Sequence, residues 1–131
     1  MKGLSPKAQI LITEFAQKEG RNSASAELLP EHAMLAILKD ADNMAYSALK
    51  VLNINVLSFQ LLIEQTLSQF PRVQNPPAFS ALPPSRRLRT LLDVAVIESR
   101  SLRSEYVGTE HLLLAAMREE NSATYRFFER C

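Results

Sequence analysis

The sequence contains one cysteine, Cys131, three glycines and no tryptophan in 131 residues. A single thiol excludes a disulfide framework and a thiolate metal cluster. With glycine only at Gly3, Gly20 and Gly108, the phosphate-binding pattern Gly-x-x-x-x-Gly-Lys-Ser/Thr cannot be written. The chain by itself is therefore expected neither to bind nor to hydrolyse ATP. An excess of one charge is missing too: 15 Lys/Arg stand against 14 Asp/Glu, a formal net charge of +1. No bulk field then draws the protein toward nucleic acid or a membrane surface. No apolar run approaches the ~18 residues of a membrane span. The opening Met1-Lys2-Gly3-Leu4-Ser5-Pro6 leads into an amphipathic segment, unlike a secretory signal, so the expected setting is the cytoplasm or the counterpart compartment of an organelle. What is present is ordinary for a globular domain with a real core: 47% apolar and 22% charged residues.

Strand signals are nearly absent, and helical ones take their place. Ser5-Pro6 pairs a capping hydroxyl with proline at the first helical position, and Ala8, Leu11, Ile12 and Phe15 follow at helical spacing. That stripe runs to about Glu19, and Gly20-Arg21-Asn22-Ser23 reads as its stop. After a polar loop over 21–29 comes a buried helix over 31–39. Asp42 or Asn43 caps the next helix, with Ala45, Ala48, Leu49 and Leu52 read as inward, and Asn53 closes it in the left-handed conformation. Asn55 caps a fourth helix through Phe70, carrying Leu57, Leu61, Leu62 and Leu67. Five of the seven prolines then fall between Pro71 and Pro84, which implies an extended connector. Beyond it the plan repeats: helices from 85 to about 102, over 109–119, and from 122 to Cys131.

The repeat is legible residue by residue. Glu31 matches Glu110, and the same offset pairs His32 with His111, Leu35 with Leu114, Ala36 with Ala115, Glu98 with Glu19 and Tyr125 with Tyr46. The second copy, Tyr106-Val107-Gly108-Thr109-Glu110-His111-Leu112-Leu113-Leu114, is the clearer one. Gly108 permits a tight or left-handed turn before a helix that Thr109 caps, with Glu110 in its first turn and Arg118 in its last. Residues 112–117 are apolar on every side, so that helix is expected to be buried all round, with Leu35 and Leu114 at equivalent core positions. The fold class is all-α: residues 1–70 form one repeat, 71–84 the connector and 85–131 a second repeat. The first copy has a fourth helix after Asn55, whereas the second reaches Cys131 where its counterpart would begin.

The residues that invite catalytic readings support structural ones better. His32 and His111 each follow a glutamate, but adjacent helix positions point about 100° apart, so neither pair chelates one ion. Both histidines are read as packing or hydrogen-bonding near helix starts. Arg86-Arg87-x-Arg89 resembles a nucleic-acid patch in isolation; Asp93 and Glu98 on the same helix, and the balanced net charge, argue against it. No Ser, Cys or Lys stands in a setting that would make it a nucleophile. All nine basic residues after position 70 are arginine, a bias that suits specific ion pairing.

The duplicated plan and the segment Glu105-Tyr106-Val107-Gly108-Thr109-Glu110-His111-Leu112-Leu113-Leu114 resemble the Clp N-terminal repeat domain, found at the front of AAA+ unfoldases such as ClpC and ClpA. Leu92-Asp93-Val94-Ala95-Val96-Ile97-Glu98-Ser99-Arg100 and the opening Leu4-Ser5-Pro6-Lys7-Ala8 carry the resemblance across the chain. It is weaker in the first repeat, where Leu29-Pro30 stands in place of Gly-Thr, and it is nearest to ClpC-like domains. The resemblance implies two repeats related by a pseudo-twofold, with no enzyme activity and no cofactor of their own. It implies capture of unfolded or tagged substrates and of adaptor proteins, delivered through AAA+ modules of the same polypeptide to a Clp protease. It further implies phosphoarginine sites built from a glutamate and a hydroxyl near a first-helix start: Glu110 with Ser85, and Glu31 with Ser5. The helix-start amides and the nearby Thr109 hydroxyl suit the phosphoryl oxygens at Glu110, and Pro30, lacking both a hydroxyl and a backbone donor, makes the Glu31 site the weaker expectation. The alternative reading is a stand-alone accessory protein that braces or regulates the Clp assembly. A reading frame continuing past Cys131 into a phosphate-binding loop would separate the two.

Overall fold

The computed structural model describes residues 3–74 and 81–131; residues 75–80 of the proline-rich connector lie outside them. Ser5 opens the first helical rod, its hydroxyl accepting from the Ala8 amide at 3.2 Å. The rod runs through α1 (Pro6–Ile10), a π-helical turn (Leu11–Phe15) and α2 (Ala16–Asn22). It is followed by α3 (Pro30–Lys39), α4 (Met44–Val51) and α5 (Val56–Leu67). The second repeat contains α6 (Arg86–Ser101), α7 (Thr109–Arg118) and α8 (Ala123–Glu129). Apart from two one-residue bridges, the described residues contain no strand, and the class is all-α.

The duplication extends to single hydrogen bonds. Asn43 caps α4 by accepting from the Tyr46 amide, and its amide group donates to the Ile37 and Asp40 carbonyls. Ser122 stands in the same place on α8, accepting from Tyr125, with its single hydroxyl hydrogen shared between the Ala116 and Glu119 carbonyls. Left-handed residues recur in step as well, Ala24 at φ 52° and Arg103 at φ 57°, each ending a repeat's first helix. Asn53 takes the left-handed conformation expected of it, at φ 58°.

The two copies exchange their leading segments. The Ser5 amide donates to the Val107 carbonyl and the Val107 amide to Gly3, so the start of the first repeat pairs with the loop before α7. Reciprocally, Leu28 donates to Pro83 and Ser85 to Leu28, so the start of the second repeat pairs with the loop before α3. Such self-complementary pairing is what a twofold relation generates. A further contact crosses between the repeats at α5 and α8, where Phe59 stacks on Phe127 at 4.6 Å and meets Phe128 edge-on at 5.6 Å.

Several expected core positions are corrected. Phe15 is 46% exposed, because the π turn inserts one residue into the helix. The Ala16 amide reaches back five residues to the Leu11 carbonyl, which turns the following face so that Ala16, Gln17 and Gly20 point inward instead. Ala48, Leu52, Leu57 and Leu61 face outward; Phe59 and Ile63 hold the α5 core, and that helix ends at Leu67 before reaching Phe70. Leu35 is buried as expected, but Leu114 is only half-buried, as is Met117. The second repeat has no counterpart of α5 among the described residues to cover that face of α7. Leu112 is the fully buried leucine of this helix.

Gly20 does not stop the rod, which continues to Asn22. Its role is close approach: a Cβ there would lie 2.6 Å from Leu82 Cδ1, and Leu82 is pinned by two hydrogen bonds with the buried Gln17 side chain. Gly20→Ala is therefore expected to destabilise the protein by about 1–3 kcal/mol through overpacking. Gly3→Ala, where nothing lies within 4 Å, serves as the control in the same urea titration. Equal midpoints for the two variants would show that Leu82 yields freely.

Candidate functional site

A cleft of about 610 Å³ opens where the leading segment of the first repeat meets the start of α7. Ser5 and Lys7 form one wall, Glu105 and Glu110 another, and the exposed side chains of Met44 and Tyr106 give it an apolar margin. The reciprocal exchange decides which hydroxyl accompanies which glutamate. Ser5, expected beside Glu31, stands with Glu110; Ser85, expected beside Glu110, belongs to the Glu31 side. The offset pairs equivalent residues, and the twofold crossing places each one next to its partner's equivalent.

The start of α7 also differs from its expected capping. Gly108, at φ −94°, occupies the cap position, and the Nδ1 atom of His111 accepts from its amide at 2.8 Å. Gly108 serves by lacking a side chain, since an added Cβ would overlap the Glu110 carboxylate folded over it. Thr109 is 3% exposed, and its hydroxyl accepts from the Ala45 amide at 3.1 Å, capping α4 of the other repeat. Thr109 thus joins the repeats and does not open to the cleft as a free hydroxyl. Ser5 and Ser85 both accept an amide of their own helix, from Ala8 and Leu88. The histidines are structural, as read: His32 Nδ1 accepts from Leu29 at 2.9 Å, and Ser23 and Ser104 stand at the Nε2 atoms of His32 and His111.

The two glutamates live in opposite electrostatic settings. Glu31 is 3% exposed, and the Arg87 guanidinium grips it with both terminal nitrogens, at 3.1 and 2.9 Å. Arg87 Nε also donates to Glu119 at 2.6 Å. Burial alone would lower the Arg87 pKa, but the hydrogen bonds to Glu31 and Glu119 outweigh it and hold the guanidinium above its usual value. Glu110 is half-exposed, and among the described residues it has no ion pair. Lys7, on the same cleft, is drawn to Asp40 at 3.1 Å and to Asp42 at 3.8 Å. Burial would raise the Asp40 pKa; the Lys7 and Asn43 hydrogen bonds, the Asp42 amide and the Lys7 charge hold it below the usual carboxylate value. The cleft therefore presents Glu110 without an ion pair among the described residues, and on its other wall Lys7, which is held by Asp40 and Asp42. Lys7 and Arg87 were missed as site residues from sequence, though each lies two positions after its helix-capping serine.

A family model described as the Clp repeat N-terminal domain matches residues 3–131. The chain belongs to this family. Among curated proteins it is similar to the chaperone protein ClpB of Rhodopirellula baltica, 28% identical over 92% of this chain and 13% of that protein. An uncharacterized protein of Mycobacterium tuberculosis is 32% identical over 89% of this chain and 44% of its own length. The Clp repeat domain described here thus spans less than half of the length of either relative. Its fold is shared with the Hsp104 N-terminal domain of Candida albicans, at a TM-score of 0.78 and 22% identity, covering 98% of this chain and 81% of that one. It is shared also with the ClpV N-domain of Vibrio cholerae, at 0.80 and 19%, covering 97% and 74%.

Proposed function

We propose that this Clp repeat domain is a non-catalytic capture module of a cytoplasmic Clp-type unfoldase, and that the cleft before α7 reads phosphorylated arginine on substrates or adaptors. The captured protein would pass to AAA+ modules and from them to a Clp protease. The observation that carries this reading is that Glu110, with no ion pair among the described residues, lines the same cleft as Lys7. Phosphoarginine joins a guanidinium to a phosphoryl group, so its site needs both signs of charge within one side chain's reach. Glu110 offers charge-assisted acceptors for the guanidinium. Lys7, on leaving Asp40 and Asp42, would offer donors for the phosphoryl oxygens. Met44 and Tyr106 supply apolar surface for the residues that flank the modification.

Glu110→Gln keeps the shape and removes the charge. It should weaken binding of a phosphoarginine peptide by about tenfold or more, the size of one charge-assisted bond. Isothermal titration with that peptide and its unmodified twin checks this. If the wild-type domain cannot tell the two peptides apart, the phosphoarginine assignment fails.

One observation favours a second reading. The mycobacterial relative, 44% of whose length this domain spans, is far shorter than the ClpB relative, of which it spans 13%. Repeats of this family therefore also occur in proteins of modest length, as a stand-alone accessory protein of the Clp assembly would be. Such a protein should bind an assembled Clp ring and leave free substrate peptides unbound.

A further inference from the structure

We infer that Arg87 occupies, from within the chain, the first-repeat counterpart of the Glu110 site, and that withdrawing it opens a second guanidinium site between Glu31 and Glu119. The choice of phosphoarginine as external ligand rests on the reading of Glu110 given above; the internal occupancy rests on geometry alone.

The correspondence is positional. Glu31 and Glu110 stand at the second residue of α3 and of α7. Arg87 and Lys7 stand at the second residue of the helix that crosses over from the other repeat. Asp40 and Glu119 stand just past the ends of α3 and α7. In both copies the crossing cation pairs with the carboxylate past the helix end, Lys7 with Asp40 and Arg87 with Glu119. Only in the Arg87 copy does the cation also reach the first-turn glutamate.

The difference follows from side-chain chemistry. A guanidinium is a planar fork with five donors, so it bonds Glu119 through Nε and Glu31 through both terminal nitrogens at once. An ammonium is a compact point charge, and Lys7 settles on Asp40 and Asp42. The backbone reinforces this. Leu29 carries a side chain where Gly108 has none, so Glu31 lacks the space over the cap residue that Glu110 folds into. Glu31 turns to Arg87 instead.

Arg87 keeps 34% of its side chain exposed while Glu31 is almost fully covered, so Arg87 spans from the surface to the buried carboxylate. The groove that flanks it, about 310 Å³, is walled by Leu91, Val94 and Ala115, which suit an aliphatic stem, and by the charged Arg86, Arg118 and Glu119. One Lys/Arg difference thus sets which of two equivalent sites is open, and Arg87 and Lys7 become the residues that determine specificity.

The test separates this from the Glu110 reading. Arg87→Ala should melt below wild type, and millimolar ethylguanidinium should saturably restore at least half of the lost melting temperature. Ethylammonium should not, and neither compound should help the Arg87→Ala, Glu31→Gln double variant. If Arg87→Ala does not fold, Arg87→Lys, which retains a partner for Glu119, takes its place in the same melts. A rescue no larger with ethylguanidinium than with ethylammonium would overturn the internal occupancy. With the phosphoarginine peptide, calorimetry should count one site in the wild type and two in Arg87→Lys, which keeps the crossing cation as the Lys7 copy does, and Lys7→Arg should weaken the single wild-type site by about tenfold. A wild-type count of zero with rescue intact removes the Glu110 reading and leaves Arg87 as an internal occupant. A count of one in both proteins overturns the second site.

Discussion

Phe59→Ala should cost about 3–5 kcal/mol, the range for removing a fully buried aromatic side chain. Phe59 has no exposed surface, stacks on Phe127 with the rings 8° from parallel, and meets Phe128 at 82°. Stacked and edge-on pairs add about 0.5–1.5 kcal/mol beyond burial, and here both geometries meet on one ring. Phe127 and Phe128 are themselves at right angles, so the three rings close a triangle between α5 and α8. The gap left by alanine would border both repeats, and neither could collapse into it without breaking the other's packing. Urea unfolding followed by circular dichroism measures the loss. Leu57→Ala on the same helix is the control: Leu57 is 62% exposed and its truncation should stay within about 0.5 kcal/mol. Comparable losses for the two variants would mean that the repeats do not share a core at Phe59.

Acidification from pH 6.5 toward 4 should remove up to about 3 kcal/mol of stability through His32 alone. His32 is fully buried, and that burial, opposed in part by the charges of Glu31 and Glu19, lowers its pKa to about 4. Its Nδ1 accepts the Leu29 amide, so the neutral ring carries its proton on Nε2 and donates to Ser23. Protonation would destroy the acceptor and place a charge in the core. The unfolded chain takes up that proton near pH 6.5, whereas the folded chain resists until about pH 4. The contribution is therefore complete above 6.5 and falls as the pH drops toward 4. His32→Gln keeps a side-chain acceptor without titrating, and its stability should be flatter across the same window. Urea midpoints measured between pH 7.5 and 4 compare the two; parallel curves would show that His32 does not carry the acid sensitivity.

The elements that local chemistry dictates were legible in the sequence. Ser5, Asn43, Asn55, Ser85 and Ser122 all cap helices with their own side chains, and the match of His32 to His111 survives down to equivalent bonds. The π turn was harder to see. Ser5 and Ser85 differ by one position more than Ala16 and Ala95 do, and that extra residue is what the wider turn absorbs. Apolar spacing assumes a uniform helix, so it placed Phe15 on the wrong side. Thr109 was read as a local cap because its partner, the Ala45 amide, lies 64 positions away. Arg87 and Glu31 are 56 apart, and no pattern within a single helix announces their pairing. At the site, the residue types were visible, but which serine stood with which glutamate depended on the crossing of the two copies.

That crossing has a consequence for the order of events during synthesis. The Ser5 amide waits for the Val107 carbonyl, Phe59 waits for Phe127, and Glu31 waits for Arg87. A nascent chain that has emerged only as far as α5 has its helices and caps, but an uncompensated carboxylate and an uncovered aromatic ring. Non-local partners must be present before the entropy of closing such loops is recovered. The first repeat is therefore expected to gain its full stability only once the second has emerged to supply Val107, Phe127 and Arg87.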